Sequence, residues 1–266
     1  MSEQEAWQVS DDAAVVYEQE FVPALFGQWA PAVAEAAAIG PGDRVLDVAC
    51  GTGVLAREAA ERAGAEGRVT GLDLNDGMLA VARRIRPEID WRQGDATALP
   101  FEADSFDAVV CQFALMYLPD RLAALGEMWR VLAPGGRLAV AVWAPLERAT
   151  AYCALADIAR RRTNEAAATM LAAPFVLGDE AELLSLFEAA GIAGAAVTTH
   201  EGHGRFASID EFVRAEVKGT PLDDLLDDDG YAALASEARD EMTRFCNGDG
   251  KMAFPIEAHI VSARKA

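Results

Sequence analysis

Positive charge is scarce in this chain of 266 residues: 23 Lys and Arg stand against 43 Asp and Glu, a formal net charge of −20. Phosphate-rich partners require clustered Lys and Arg, so nucleic acid and anionic membrane surfaces are excluded as partners. The acid reads instead as a solvated, self-repelling surface. Cysteine is sparse too. Cys50, Cys111, Cys153 and Cys246 form no CxxC pair, which argues against a disulfide framework or a zinc site and leaves reduced, partly buried thiols. The three histidines are His200, His203 and His259, and two ligands in His200-x-x-His203 are too few for a metal, so none is expected. No apolar run reaches the length of a membrane span, and Met1-Ser2-Glu3-Gln4-Glu5 lacks the basic start and apolar core of a leader, so a cytoplasmic location is expected. Internal repeats and long polar low-complexity tracts are missing as well.

What is present is apolar: 52% hydrophobic residues with 8% aromatics are enough for a packed core. Residues 11–38 read as helical, with Tyr17, Phe21, Leu25 and Trp29 recurring every fourth residue on one face, and Pro23 and Pro31 are expected to kink or divide the segment. From Gly40 the pattern becomes strand 44–49, helix 54–63, strand 68–74, helix 76–86 and strand 89–94. Strand 106–112, helix 120–132 and strand 137–143 follow. Short, wholly apolar strands alternating with helices specify a parallel sheet covered on both faces, an α/β, Rossmann-like, doubly wound fold. Beyond Trp143 the rhythm loosens into helices near 147–172, 179–190, 208–217 and 230–245, a strand at 195–200, and a closing apolar strand, Ile256 to Ser262. The acidic tract 223–229 reads as a solvated loop capping the next helix.

Gly51-x-Gly53-x-x-Ala56 follows the first strand and opens the first helix of this unit, the setting in which a glycine-rich turn cradles a nucleotide. Asp73 ends the second strand, where a carboxylate accepts from both ribose hydroxyls. A nicotinamide dinucleotide and S-adenosylmethionine both satisfy this much. Asp47, inside the first strand just before the glycines, favours the second: a pyrophosphate there would meet a like charge, whereas a sulfonium and an amino group complement it.

The segment Val45-Leu46-Asp47-Val48-Ala49-Cys50-Gly51-Thr52-Gly53 resembles the first motif of the class I S-adenosylmethionine-dependent methyltransferases. Gly71-Leu72-Asp73-Leu74-Asn75 resembles their acidic ribose motif, and 94–101 their adenine loop. Residues 106–110 and 132–138 look like their fourth strand and the turn into the fifth. The resemblance covers roughly 40–145 and is nearest the small-molecule branch that includes the ubiquinone and menaquinone methyltransferases. It implies a seven-stranded sheet, mostly parallel with an antiparallel last strand. It also implies a cofactor site of Asp47, Ala49, Gly51, Thr52, Gly53, Asp73, Leu74, Met78, Asp95, Ala96 and Gln112. In that site Gly51 and Gly53 admit the methionine portion, Asp73 holds the ribose, and Asp95 with the Ala96 amide meets the adenine. Leu74 and Met78 pack on the ring, and Gln112 lines the methionine end.

The histidine that many relatives carry after strand four is missing from 113–118, so no catalytic base is assigned. Tyr117 remains in that loop to orient a substrate, and His200 or His203 would be candidate bases if the acceptor is a hydroxyl or an acidic carbon. Residues 1–266 are read as one domain: a helical cap over 1–39, a cofactor core over 40–145, cap helices with an extra strand over 146–250, and the final strand over 251–266. The aromatic face at Tyr17 and Phe21, with the 146–250 helices, is expected to wall a pocket for a small, apolar or aromatic methyl acceptor. A nicotinamide-dependent reductase and a catalytically silent S-adenosylmethionine-binding protein are the competing readings. Oligomeric state is not legible.

Overall fold

The computed structural model describes residues 11–266, so the first ten residues of the expected 1–39 cap lie outside the described residues. In chain order the elements are α1 (Asp11–Val16), a wide helical segment Tyr17–Phe26, α2 (Ala30–Ala36), β1 (Arg44–Val48), α3 (Val54–Ala63), β2 (Arg68–Asp73), α4 (Asp76–Ile85) and β3 (Asp90–Gln93). Then come β4 (Phe106–Gln112), α5 (Arg121–Val131), β5 (Leu132–Trp143), α6 (Thr150–Arg162), α7 (Glu165–Ala172) and α8 (Glu180–Ala189). The chain closes with β6 (Ala196–Phe206), α9 (Ile209–Lys218), α10 (Asp228–Glu241) and β7 (Met252–Arg264).

One seven-stranded sheet runs in the order β3-β2-β1-β4-β5-β7-β6. The first five strands are parallel; β7 runs antiparallel to β5, and β6 antiparallel to β7. The expected architecture is therefore present, with the chain's last strand inserted inside the sheet rather than at its edge. Helices cover both faces, which is why Val45, Leu46 and Val48 of β1 and Ala108 to Cys111 of β4 are fully buried without alternation. The strand order reverses between β1 and β4, and the crevice outside their carboxyl ends is where open α/β sheets bind ligands.

Three strands exceed their sequence limits, β5 by starting at Leu132 rather than 137. The polar, glycine-containing run 201–206 extends β6, and 252–255 extends β7, so the two pair as a ribbon that projects past Trp143 at the carboxyl end of β5. Gly202 and Gly204 mark close packing there: a Cβ on Gly202 would lie 2.5 Å from the Trp29 ring, and one on Gly204 only 2.2 Å from Phe254. Pro23 does not break its helix. The chain widens instead, the Gly27 amide reaching back to the Val22 carbonyl, and exposed Pro23, which has no amide to donate, sits on the outer side. Asp227 caps α10 by accepting from the Gly230 amide at 2.8 Å, as the acidic tract led one to expect.

Within 146–250, α6, α7, α9 and α10 pack on one another above the carboxyl edge of the sheet. Helix α8 instead lies against α5, and β6 belongs to the sheet. Among the described residues no helix is long and apolar enough to cross a membrane.

Candidate active site

A cavity of about 260 Å³ opens over the β1/β4 crevice. Its floor comes from the strand ends and the loops after them: Ala49 and Gly51 after β1, Asp73 to Asn75 after β2, and Gly94 to Ala96 after β3. Two of the lining positions are strained. Ala49 and Phe113, just past β1 and β4, hold φ of 54° each, a left-handed conformation that non-glycine residues adopt only where the surroundings impose it.

Asp73 organises this floor. Its Oδ2 accepts from the Gly51 amide at 2.7 Å and its Oδ1 from the Asn75 amide at 2.8 Å, so one carboxyl ties the glycine turn to the loop after β2. Burial pushes its pKa up, and the amides of Asn75, Gly51 and Leu74 pull it back. Asp95 is pinned by Thr97, whose amide and hydroxyl both donate to Oδ1 at 2.8 Å. Leu74, Met78 and Ala96 line the same end.

Four expected positions sit behind this floor rather than on it. Asp47 is 1% exposed under the glycine turn, with no partner for its Oδ2 among the described residues. Burial, then the like charge of Asp73, drives its carboxyl well above the usual range, partly opposed by the Ala56 amide. Asp47 therefore lies beneath the floor, and the carboxyls that line the cavity at this end are those of Asp73 and Asp95. Thr52 is equally buried. Gly53, at φ 87°, is needed for a neighbour: a Cβ there would lie 2.3 Å from the Trp91 indole, whereas one on Gly51 would meet only Tyr17, at 4.0 Å. Gln112 lies outside the cavity wall, its Nε2 donating to the Phe26 carbonyl at 3.3 Å.

The roof is aromatic. Tyr17, Phe21, Leu25 and Phe26 reach in from the wide helix, with Tyr117 from the turn after β4, so the three expected substrate-side residues do line the cavity. Phe113 and Trp143 stack at 3.8 Å, and Trp29 meets both edge-on at 5.8 and 5.7 Å. The segment is tied to both halves of the molecule: Arg57 of α3 pairs with Glu18 at 2.9 Å and Arg214 of α9 with Glu20 at 2.6 Å.

Sequence reading set the 146–250 helices around the pocket but did not single out the polar pair in its far wall, where Tyr152 of α6 donates to Glu216 Oε1 of α9 at 2.5 Å. A signal was present. Ile209, Phe212, Val213 and Glu216 share the i, i+3, i+4, i+7 face of α9, so a carboxyl occupies an otherwise apolar stripe. His200 and His203 do not line the cavity, and His259 is 3% exposed between Thr199 and the Gly178 carbonyl.

Residues 45–136 match the family described as methyltransferase domain. The demethylmenaquinone methyltransferase of Renibacterium salmoninarum is 46% identical over 134 residues, 49% of this chain and 55% of that protein. The 2-phytyl-1,4-naphtoquinone methyltransferase of Thermosynechococcus vestitus is 45% identical over 102 residues, 37% of this chain and 45% of that protein. The chain spans about half the length of the curated relatives it matches. Among solved structures, YcgJ protein from Bacillus subtilis is similar in fold, with a TM-score of 0.59 at 22% identity over 90% of this chain and 98% of that one. Motif order, sheet topology and these matches agree: residues 45–136 match a methyltransferase domain, in a chain that resembles the quinone methyltransferases.

Proposed function

We propose that the chain transfers a methyl group from S-adenosylmethionine to a small, apolar or aromatic acceptor, the described residues acting as one domain. The observation that carries this reading is the chemistry of the cavity wall. It presents carboxyls at Asp73, Asp95 and Glu216, with no Lys, Arg or His among the described lining residues. Such a wall complements a sulfonium and an amino group and repels the pyrophosphate of a nicotinamide dinucleotide.

In this reading Asp73 accepts from the ribose hydroxyls, and Asp95 with the Ala96 amide holds the adenine between Leu74 and Met78. Ala49 and Gly51 face the methionine portion. Asp47, Thr52, Gly53 and Gln112 act through the loops they support. The aromatic roof takes the acceptor, which fits the quinone substrates named for the relatives above. The reaction is an in-line displacement at the methyl carbon, and the protein contributes alignment and exclusion of water, both of which a roofed apolar chamber favours.

Calorimetry tests the cofactor half: S-adenosylhomocysteine binds and NADH does not, and the reverse result overturns the reading. Methyl transfer from radiolabelled S-adenosylmethionine across a panel of alkylated hydroquinones, phenols and amines tests the rest. Tight cofactor binding with no turnover on any of them favours a silent binding protein.

A further inference from the structure

The methyltransferase motifs account for the floor of the cavity but not for a carboxyl in its far wall. Glu216 is 6% exposed, on the apolar stripe of a cap helix, among Met170, Leu171, Pro174 and Phe175. No Lys, Arg or His pairs with it among the described residues. A buried carboxyl is costly and is kept where hydrogen bonds compensate it. Oε1 has the Tyr152 hydroxyl, and the last turn that carries the side chain is fastened by Thr220 Oγ1, which donates to the Glu216 carbonyl at 2.5 Å. Tyr17, Tyr117, Tyr152 and Glu216 line the same cavity as Asp73, so polar groups are present from the glycine turn to the cap.

We propose that Glu216 is the catalytic base of the methyl transfer, with Tyr152 positioning it, and that the acceptor presents a hydroxyl on an aromatic body. The assignment rests on the methyl-transfer reading above. The aromatic roof takes the ring, and Glu216, the one carboxyl lining the cavity from the cap among the described residues, takes the proton. A phenolic hydroxyl is a better donor and a stronger acid than an aromatic amine, so a carboxylate selects it. Burial pushes the Glu216 carboxyl up to about 7, with the Tyr152 hydrogen bond pulling it down, which places it in the range where a base is both available and effective. The titratable groups that face it, Tyr152 from α6 and Tyr117 from the turn after β4, are themselves held protonated by burial.

In the step, the hydroxyl proton passes to the Glu216 carboxylate. The electron pair so freed, at the oxygen or at the ring carbon conjugated with it, forms the new bond to the methyl carbon. The bond between that carbon and sulfur breaks with its pair retained by sulfur, which leaves neutral S-adenosylhomocysteine. After attack at oxygen, Glu216 releases its proton to water. After attack at carbon it returns the proton to the oxygen, and the ring carbon loses its hydrogen to water.

The test uses full-length protein loaded with S-adenosylhomocysteine and titrated with 1-naphthol and with 1-methoxynaphthalene, which differ at the hydroxyl. Wild type should bind the naphthol at least tenfold tighter, and the naphthol affinity should rise between pH 6 and pH 8 as the carboxyl ionises. Glu216→Leu should bind both probes equally, without pH dependence, and keep its S-adenosylhomocysteine affinity within twofold. Should that variant not fold, Tyr152→Phe decides: losing the hydroxyl moves the pH rise upward, which a merely structural tyrosine would not do. Equal binding of the two probes by wild type, absence of naphthol binding, or a preference that survives in Glu216→Leu overturns the assignment. Failure of S-adenosylhomocysteine to bind wild type overturns the methyl-transfer reading itself.

Discussion

Glu216 leaves a mark on stability as well as on chemistry. Its carboxyl titrates at about 7 in the folded protein against about 4.3 in an unfolded chain. Folding therefore disfavours the ionised form, so stability falls as pH rises between those two values and stays constant above them. Glu216→Gln removes the ionisation and should gain about 2–3 kcal/mol on wild type between pH 5 and pH 8 in urea unfolding. Parallel stability profiles for the two proteins would contradict the buried carboxyl. Asp73 has a double duty, since it would hold the ribose and already joins Gly51 to Asn75. Asp73→Ala should weaken S-adenosylhomocysteine binding by about 1.5–3 kcal/mol, read by calorimetry on the folded variant. Unchanged affinity would remove Asp73 from the site. These carboxyls were not equally legible. Asp73 and Asp95 follow from motifs that fix them to strand ends. For Asp47 the same motif gives the strand but not the depth: the side chain is buried beneath the turn, and burial pushes its carboxyl well above the usual range. Glu216 lies outside every motif, and only its place on an apolar helical face sets it apart.

From β1 to β4 the strands and helices were readable almost to the residue, because apolar runs and glycine turns are local signals, whereas β5 starts five residues before its expected limit. The β6–β7 ribbon was not readable. Its extension depends on Trp29 and Phe254 filling the space that two glycines leave, a long-range fit that a run reading Glu-Gly-His-Gly-Arg does not announce. Gly204→Ala should therefore cost about 1–3 kcal/mol, because Phe254 is fully packed and cannot yield. Coupling between Gly204→Ala and Phe254→Leu in a double-mutant cycle checks it; strict additivity would show that the ring is not the obstacle. The wide helix was legible as an aromatic face but not in its winding, since Pro23 reads as a break. Phe21→Ala, which trims the roof without touching the cofactor floor, should leave S-adenosylhomocysteine affinity unchanged. It should lower methyl transfer to whichever acceptor the panel identifies, and full turnover would separate this helix from the acceptor chamber.

The formal charge of −20 sets a background against which all of these variants will be measured. Most ion pairs here are exposed, and such pairs contribute about 0–1 kcal/mol each, whereas self-repulsion among excess carboxylates acts across the surface. Raising NaCl from about 0.1 M to about 1 M shortens the screening length from about 10 Å to about 3 Å, so Tm should rise. A fall in Tm would mean that the pairs outweigh the repulsion. The aromatic stack of Phe113 and Trp143, gripped by Trp29 and Phe26, is the joint through which the N-terminal helix grips the sheet. It also forms part of the cavity wall. If the proposed acceptor binds there, recognition and cohesion draw on the same side chains, and this couples the evolution of the two. A lineage that reshapes this wall for a different acceptor loosens the joint at the same stroke, so new specificities are open mainly to variants that have first gained stability elsewhere.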